Sequence, residues 1–312
     1  MPELPEVETV RAGLAGPLTD ATIESISVHD VRSLKRHPGS PDDFVQTLTG
    51  ARIEAVIRRG KFLWLPLTFG GASSNQSFAL VGHLGMSGQM LLREPGFEPE
   101  KLNRVSMLCR TASGAEVDFR FVDQRIFGSL AIDQLVATPD GGVGGFSESV
   151  AAGKPFEKLI PAKAAHIARD PLDPEFDLER VIRVFKKKDS GIKRVLLDQQ
   201  VLSGIGNIYA DEALWAAKLH YDQPASSIST VKAKQLIAEV QRILAAAVAQ
   251  GGTSFDEQYK NVNGESGYFE VSLNAYGQTG KPCARCGGPI KRDDWMNRGS
   301  HYCPRCQKLR HS

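Results

Sequence analysis

Long apolar runs are missing from this 312-residue chain. No stretch approaches the ~20 consecutive apolar residues that a membrane-spanning helix needs. A basic leader is missing too. The chain opens Met1-Pro2-Glu3, without the positive n-region of a secretory signal, and an intracellular protein is expected. Excess charge is absent: 38 Lys+Arg against 36 Asp+Glu leave +2, which argues against a uniformly basic protein. Cysteine is scarce, five in all, and four of the five fall in the last thirty residues. There is no internal repeat and no coiled-coil heptad. What remains is 41% hydrophobic and 24% charged. That is ordinary globular composition, enough for about two domains with a core each.

Distribution says more than the total. Between Lys281 and Ser312 eight Lys/Arg face two Asp, so +6 sits in the tail. Lys186-Lys187-Lys188 with Lys193-Arg194 form a second basic cluster, and Arg58-Arg59-Lys61 a third. One such cluster alone reads as solvated surface. Three of them, each beside an unusual motif, point to a phosphate backbone as partner.

The first ~135 residues read as short strands separated by Gly, Pro, Ser and Asn, the pattern of a sandwich or flattened barrel. The strands are predicted at 22–29, 51–58, 62–67, 77–82, 89–93, 104–110, 116–122 and 127–132. One helix precedes them, about Pro5 to Ala15, with Gly16-Pro17 as its stop. Residues 138–163 carry Gly141-Gly142-Val143-Gly144-Gly145 and read as a linker or mobile loop. Helical periodicity follows: Asp177 as N-cap of a helix to Phe185, a helix after Gly206-Asn207, and a long one from about Thr230 to Gln250 ended by Gly251-Gly252.

Cys283-x-x-Cys286 and Cys303-x-x-Cys306 lie 16 residues apart. Two CxxC pairs at this spacing fit one tetrahedral zinc, structural because four thiolates leave no open position. Two disulfides are the other reading, rare in an intracellular protein. Cys109, left over in an apolar strand, reads as a core thiol.

Met1-Pro2-Glu3-Leu4-Pro5-Glu6-Val7-Glu8 has two readings. The structural one is helix-starting prolines with acids favoured by the macrodipole. The chemical one needs Met1 removed, which makes Pro2 a free secondary amine. An α-amine titrates near ~8, so much of it is neutral and nucleophilic at physiological pH. Attack on a sugar C1′ gives a cationic iminium, an electron sink that acidifies the C2′ proton. A carboxyl must then shuttle protons, and Glu3 and Glu6 are within the same turn.

The opening ten residues resemble those of formamidopyrimidine-DNA glycosylases, bacterial enzymes that excise 8-oxoguanine and ring-opened purines and then cut the strand. The resemblance returns in order at Arg58-Arg-Gly-Lys61, His83-Leu-Gly-Met-Ser87, Gly204-Ile-Gly-Asn-Ile-Tyr-Ala210, Gly251-Gly-Thr-Ser254 and the cysteine module. It implies an α+β multidomain protein: an N-terminal antiparallel β-sandwich preceded by a helix, then a helix-two-turn-helix domain with a zinc-bearing β-hairpin. The implied boundaries are 1–137 for the catalytic domain, 138–165 for a linker, 166–278 for the DNA-binding domain and 279–312 for the zinc finger. The implied partner is duplex DNA with oxidised purines or abasic sites, met by a monomer in the bacterial cytoplasm at the nucleoid, with no organic cofactor.

By the same resemblance Pro2 is the nucleophile and Glu3 its acid/base partner. Lys61 and Arg298 contact phosphates near the lesion, as do Lys193 and Asn207. Met86, Arg125 and Phe127 fill the gap left by the flipped nucleotide. Read alone, Lys61 is a solvated edge lysine, Met86 and Phe127 are core residues, and Gly204–Asn207 is an ordinary helix-entry turn. Residues 258–268 match the family's loop over an everted 8-oxoguanine. That loop favours this family over endonuclease VIII-type enzymes for oxidised pyrimidines. Intact Pro2 and Glu3 argue against a non-catalytic DNA-binding paralogue. Three departures stand out: Gln124 and Ile126 within Asp123–Gly128 where Pro and Arg are usual, and Gln278 where Arg is usual after Ala275-Tyr-Gly.

Overall fold

The computed structural model describes residues 2–70, 77–98, 100–253, 262 and 273–310. By contacts the chain divides into two units, 1–166 with 253–267, and 167–252 with 268–312.

The first unit opens with helix α1 (Leu4–Leu18). It runs past the stop expected at Gly16-Pro17. Pro17 lies in the last turn, where its missing N–H costs one hydrogen bond. Leu14 and Leu18 are fully buried and hold that turn in place. Strands β1 (Thr22–Val28), β2 (Arg52–Ile53), β3 (Ile57–Arg59), β4 (Phe62–Thr68), β5 (Phe78–His83), β6 (Gly88–Arg93), β7 (Asn103–Arg110), β8 (Glu116–Asp123), β9 (Ser129–Ala137) and β10 (Leu159–Pro161) form one antiparallel path. Its order is β10-β9-β5-β4-β2-β1-β7-β8-β6, with β3 on β4. The two ends of this path share one core. Leu63, Leu65, Leu80 and Leu130 pack in the same cluster as Ile23, Val105, Met107 and Phe121. The sheet is therefore folded face to face as a sandwich, and the end of the Met90 side chain on β6 lies over Gly82 on β5. Helix α2 (Pro41–Leu48), which periodicity did not reveal, plugs one end with Phe44 and Leu48.

Cys109 on β7 is 1% exposed, and burial pushes its thiol up to about 12. It is a core residue, as its strand context implied.

Residues 138–165, read from sequence as linker or mobile loop, carry β10 and a buried set of Phe156, Ile160 and Ala164 packed with Trp64. Glycine spacing alone hid this packing.

The second unit holds α3 (Leu178–Phe185), α4 (Ile192–Leu196), α5 (Asn207–Ala216) and α6 (Thr230–Ala249). Asp177 caps α3 by accepting the Arg180 N–H at 2.8 Å. Gly251 and Gly252 end α6 with positive φ of 75° and 82°. The chain closes on the hairpin of β11 (Lys291–Trp295) and β12 (Arg298–Tyr302). No helix among the described residues is long and apolar enough to cross a membrane.

Candidate functional site

In the first unit Pro2 is buried at the entry to α1, and Glu3 beside it is 2% exposed. Glu6 organises this entry. One of its carboxylate oxygens accepts the Glu3 N–H at 2.8 Å. The other accepts the N–H and hydroxyl of Thr253 at 2.8 and 3.0 Å. Such charge-assisted bonds fix the backbone next to Pro2. Both carboxyls named from sequence take part in the turn: the Glu3 side chain accepts the Glu6 N–H as Glu6 accepts that of Glu3, and Glu6 also holds Thr253. Thr253 lies in the Gly251–Ser254 motif, whose link to the N-terminus no local pattern could reveal.

Lys61 sits at the tip of a two-residue hairpin, because Arg59 pairs with Phe62 across β3 and β4. Gly60 supplies the left-handed φ of 57° that such tight turns demand.

Met86, Arg125 and Phe127 come from two turns that lie against each other. Gly85, at φ 63°, lets them touch: a Cβ there would meet the Phe127 carbonyl carbon at 2.5 Å. Asp123, missed in the sequence reading, is the hub. Fully buried, it takes the Ser87 hydroxyl at 2.5 Å and the N–H groups of Arg125 and Gly128 at 3.2 and 2.7 Å. The available signal was its place at the head of the Asp123–Gly128 motif. Met86 is 38% and Phe127 46% exposed, unusual for large apolar side chains. The core reading of both is thereby excluded.

Ile126, between them, has φ 55°. A β-branched residue in the left-handed region is strained. Ile126→Asn is expected to raise unfolding stability by about 0.5–1 kcal/mol. Chemical denaturation checks this, and an unchanged or lower midpoint would mean that no strain is held there.

His83, at the end of β5, is pulled down to about 4 from its ordinary 6.5, first by burial and then by Arg36, Lys35 and Lys61. Its Nδ1 accepts the Gly85 N–H at 3.1 Å, which requires the neutral ring. A depressed histidine binds its proton in the unfolded chain first. Stability should therefore fall as pH drops from about 6.5 toward about 4. His83→Gln should flatten that dependence in denaturation series at pH 7 and 5. An equally steep fall in the variant would exclude His83 as the cause.

In the second unit Lys193 does not reach solvent. Fully buried on α4, its Nζ pairs with Asp211 at 2.6 Å and donates to the Ser300 hydroxyl and Gly299 carbonyl at 2.7 and 3.1 Å. The direct phosphate contact expected for Lys193 gives way to a tie between α4, α5 and β12, because a buried lysine is stable only when paired. Asn207, at the first turn of α5, donates to the same Gly299 carbonyl at 3.0 Å. Both tie down the residues following Arg298, which is exposed. Asp211 also accepts the backbone N–H of His301 at 2.8 Å. Glu212 accepts three N–H groups, from Asn274, Ala275 and Tyr276, at 2.8–2.9 Å, and burial raises its carboxyl above the ordinary range. Both acids sit one turn into α5 from Asn207, a helical spacing that sequence could have flagged.

The four cysteines of the tail converge. Their Sγ atoms all lie within 4.8 Å of one another, and none is in a disulfide. Zinc–thiolate bonds of ~2.3 Å put sulfurs about 3.8 Å apart, so this set fits one tetrahedral ion. Trp215 Nε1 donates to the Cys283 sulfur at 3.3 Å, under the Arg285 guanidinium 4.1 Å from the ring. Such an outer donor steadies a thiolate ligand.

Residues 1–130 match the family model described as the formamidopyrimidine-DNA glycosylase N-terminal domain, 167–258 its H2TH domain, and 280–309 a zinc finger found in FPG and IleRS. The chain belongs to the formamidopyrimidine-DNA glycosylase family. It is 53% identical over 309 residues to the formamidopyrimidine-DNA glycosylase of Leifsonia xyli, covering 99% of this chain and 100% of that one. With the Kineococcus radiotolerans protein of the same name identity is 48%, covering 99% and 98%. Among solved structures, Lactococcus lactis Fpg with abasic-site DNA superposes with TM-score 0.77 at 28% identity, over 98% of this chain and 99% of that one. A point mutant of that protein with Fapy-dG DNA gives 0.78 at 29%, over 98% and 100%. Membership places the chain among the base-excision glycosylase/AP lyases with one structural zinc. The family's lesion-covering loop, 258–268 here, lies outside the described residues apart from Val262.

Proposed function

We propose that Pro2 is the nucleophile of this glycosylase/AP lyase, acting on 8-oxoguanine and formamidopyrimidine nucleotides in duplex DNA. The observation that carries this reading is the fixed entry to α1, where Pro2 is buried and Glu6 pins the next backbone N–H at 2.8 Å. A secondary amine held in one orientation has already lost the entropy that attack would otherwise cost.

The Pro2 nitrogen bonds to C1′ as the C1′–base bond breaks, and the proton that the secondary amine gives up leaves with the base. Opening of the sugar ring moves a proton to O4′, and Glu3 is the carboxyl that relays it. The product is an iminium that carries positive charge without needing protonation. Loss of the C2′ proton then expels the 3′ phosphate, and the strand is cut. Lys61 and Arg298 neutralise phosphates flanking the nucleotide. Met86, Arg125 and Phe127 enter the stack, with Phe127 as wedge and Arg125 hydrogen-bonding the orphaned base. Asn207 orients backbone phosphates at the head of α5. Lys193 acts through Ser300 and Gly299 and not by touch. On this reading residues 1–137 are the catalytic domain, 166–278 the DNA-binding domain and 279–312 the zinc finger, joined by 138–165. The site of action is the bacterial cytoplasm, at the nucleoid.

Borohydride trapping on an 8-oxoguanine duplex, with mass mapping of the adduct, tests the nucleophile. An adduct on Pro2 is expected; tight, salt-dependent binding without any adduct would leave a DNA-binding module instead. Competition between 8-oxoguanine and thymine-glycol duplexes tests the substrate class. Preference for thymine glycol would shift the assignment to oxidised pyrimidines.

A further inference from the structure

The glycine-rich segment after β9 has no role in the reaction described above. Its residues bind both arginines that precede Lys61. Phe146 exchanges two backbone hydrogen bonds with Arg58, at 2.8 and 3.0 Å, on the edge of β3 away from β4. The Val143 carbonyl accepts from the Arg59 guanidinium at 2.9 Å. Gly145 makes this approach possible, since a Cβ there would lie 2.4 Å from the Arg58 carbonyl oxygen and 2.7 Å from the Trp64 ring.

The same segment reaches α1. Glu8 on that helix accepts from Arg58 at 2.7 Å and from Arg11 at 2.9 Å. Arg11 is fully buried, and its Nη2, which also faces Glu8, pairs with Glu148 at 2.6 Å. The Phe146 ring lies 5.1 Å from the Arg11 guanidinium and 5.9 Å from that of Arg58. Arg58 also donates to the Gly60 carbonyl at 3.2 Å, next to Lys61. One cluster of two arginines and two glutamates thus joins the helix that carries Pro2 to the hairpin that carries Lys61.

We propose that residues 143–148 are a strap that positions the Lys61 hairpin against the start of α1 for catalysis. Glu8, Arg11 and Arg58 are buried, so cutting one of them from the cluster leaves a charge uncompensated, whereas Glu148 is 62% exposed and adds a weaker, solvent-screened tie. The strap supplies Glu148 and the aromatic lid, and without them Arg58 shifts together with Gly60 and Lys61. None of the strap residues need touch DNA. They act through Arg58 and Arg11.

This inference rests on the Pro2 and Lys61 reading, so trapping of the wild-type protein comes first. No adduct on Pro2 would sink that reading, whereas an adduct leaves the strap to be judged on its own. Steady-state cleavage of a preformed abasic-site duplex is then measured for Phe146→Ala, Gly145→Ala and the conservative Phe146→Tyr. Displacements of about an ångström at a reacting centre cost tenfold or more, so kcat should fall about tenfold with KM within about twofold. Phe146→Tyr, which keeps the ring, should restore most of the rate. If Phe146→Ala fails to fold by circular dichroism, Glu148→Gln replaces it, with a drop in kcat of about threefold expected. Wild-type kcat in the folded variants, or a raised KM with kcat intact, overturns the proposal.

Discussion

Pro2→Gly should lose base excision by at least about a hundredfold while keeping a weak cut at preformed abasic sites. The reason is chemical. A primary amine still condenses with the open aldehyde of an abasic sugar, but its imine must be protonated before it becomes an electron sink. Proline gives an iminium that is cationic at once. Excision of an intact nucleotide needs the stronger nucleophile, held where the buried Pro2 lies, and loss of the ring also loosens the chain entering α1. Binding of lesion DNA should change by no more than about threefold, because phosphate contacts carry affinity. A residue left in front of Pro2 converts its nitrogen to an amide and should abolish both activities. The measurements are single-turnover excision, abasic-site cleavage and borohydride trapping on one preparation. Wild-type excision by Pro2→Gly would show that the secondary amine of proline is not required, and a wild-type adduct on a lysine would relocate the nucleophile.

Removing the zinc should weaken DNA binding by about a hundredfold or more. The tail buries little of its own: Cys283, Ile290 and Cys303 form its core, with Trp215 and Cys306 packed alongside. So small a cluster does not offset the ordering entropy of some thirty residues, and structural zinc supplies roughly 10–16 kcal/mol at neutral pH. With the ion gone, β11 and β12 separate and the bonds from Lys193 and Asn207 to Gly299 and Ser300 are lost. Arg298 then loses its fixed position, and the salt dependence of binding should shallow by about one phosphate contact. Helices α3 to α6 have a separate apolar core around Leu236, Val240 and Leu214, so far-UV circular dichroism should change little. Cys283→Ser and chelation should agree. Unchanged affinity in protein shown by metal analysis to lack zinc would mean that the hairpin folds without it.

Asp123 and Lys193 mark the limit of what residue type conveys. Asp123 carries no charge pattern that distinguishes it from a surface acid, yet it is fully buried and holds the turns of Met86 and Phe127. Lys193 stands in a basic cluster and matches a motif, yet it is buried against Asp211. Burial is a property of packing between segments distant in the chain, and a basic run looks the same on either side of the surface.

What is local or chemically explicit could be read from residue order alone. Alternating apolar residues defined most strands of the sandwich, Asp177 announced its helix, and the CxxC pairs defined a metal site. Each depends on neighbours a few residues apart, where covalent geometry and side-chain type suffice. Packing was needed to establish that Glu6 commits its carboxylate to Glu3 and Thr253, that the glycine-rich stretch after β9 packs on Arg58 and Arg59, and that Met86 and Phe127 stay exposed. Those outcomes join residues tens to hundreds of positions apart, and their energies exist only once the chain has closed those loops.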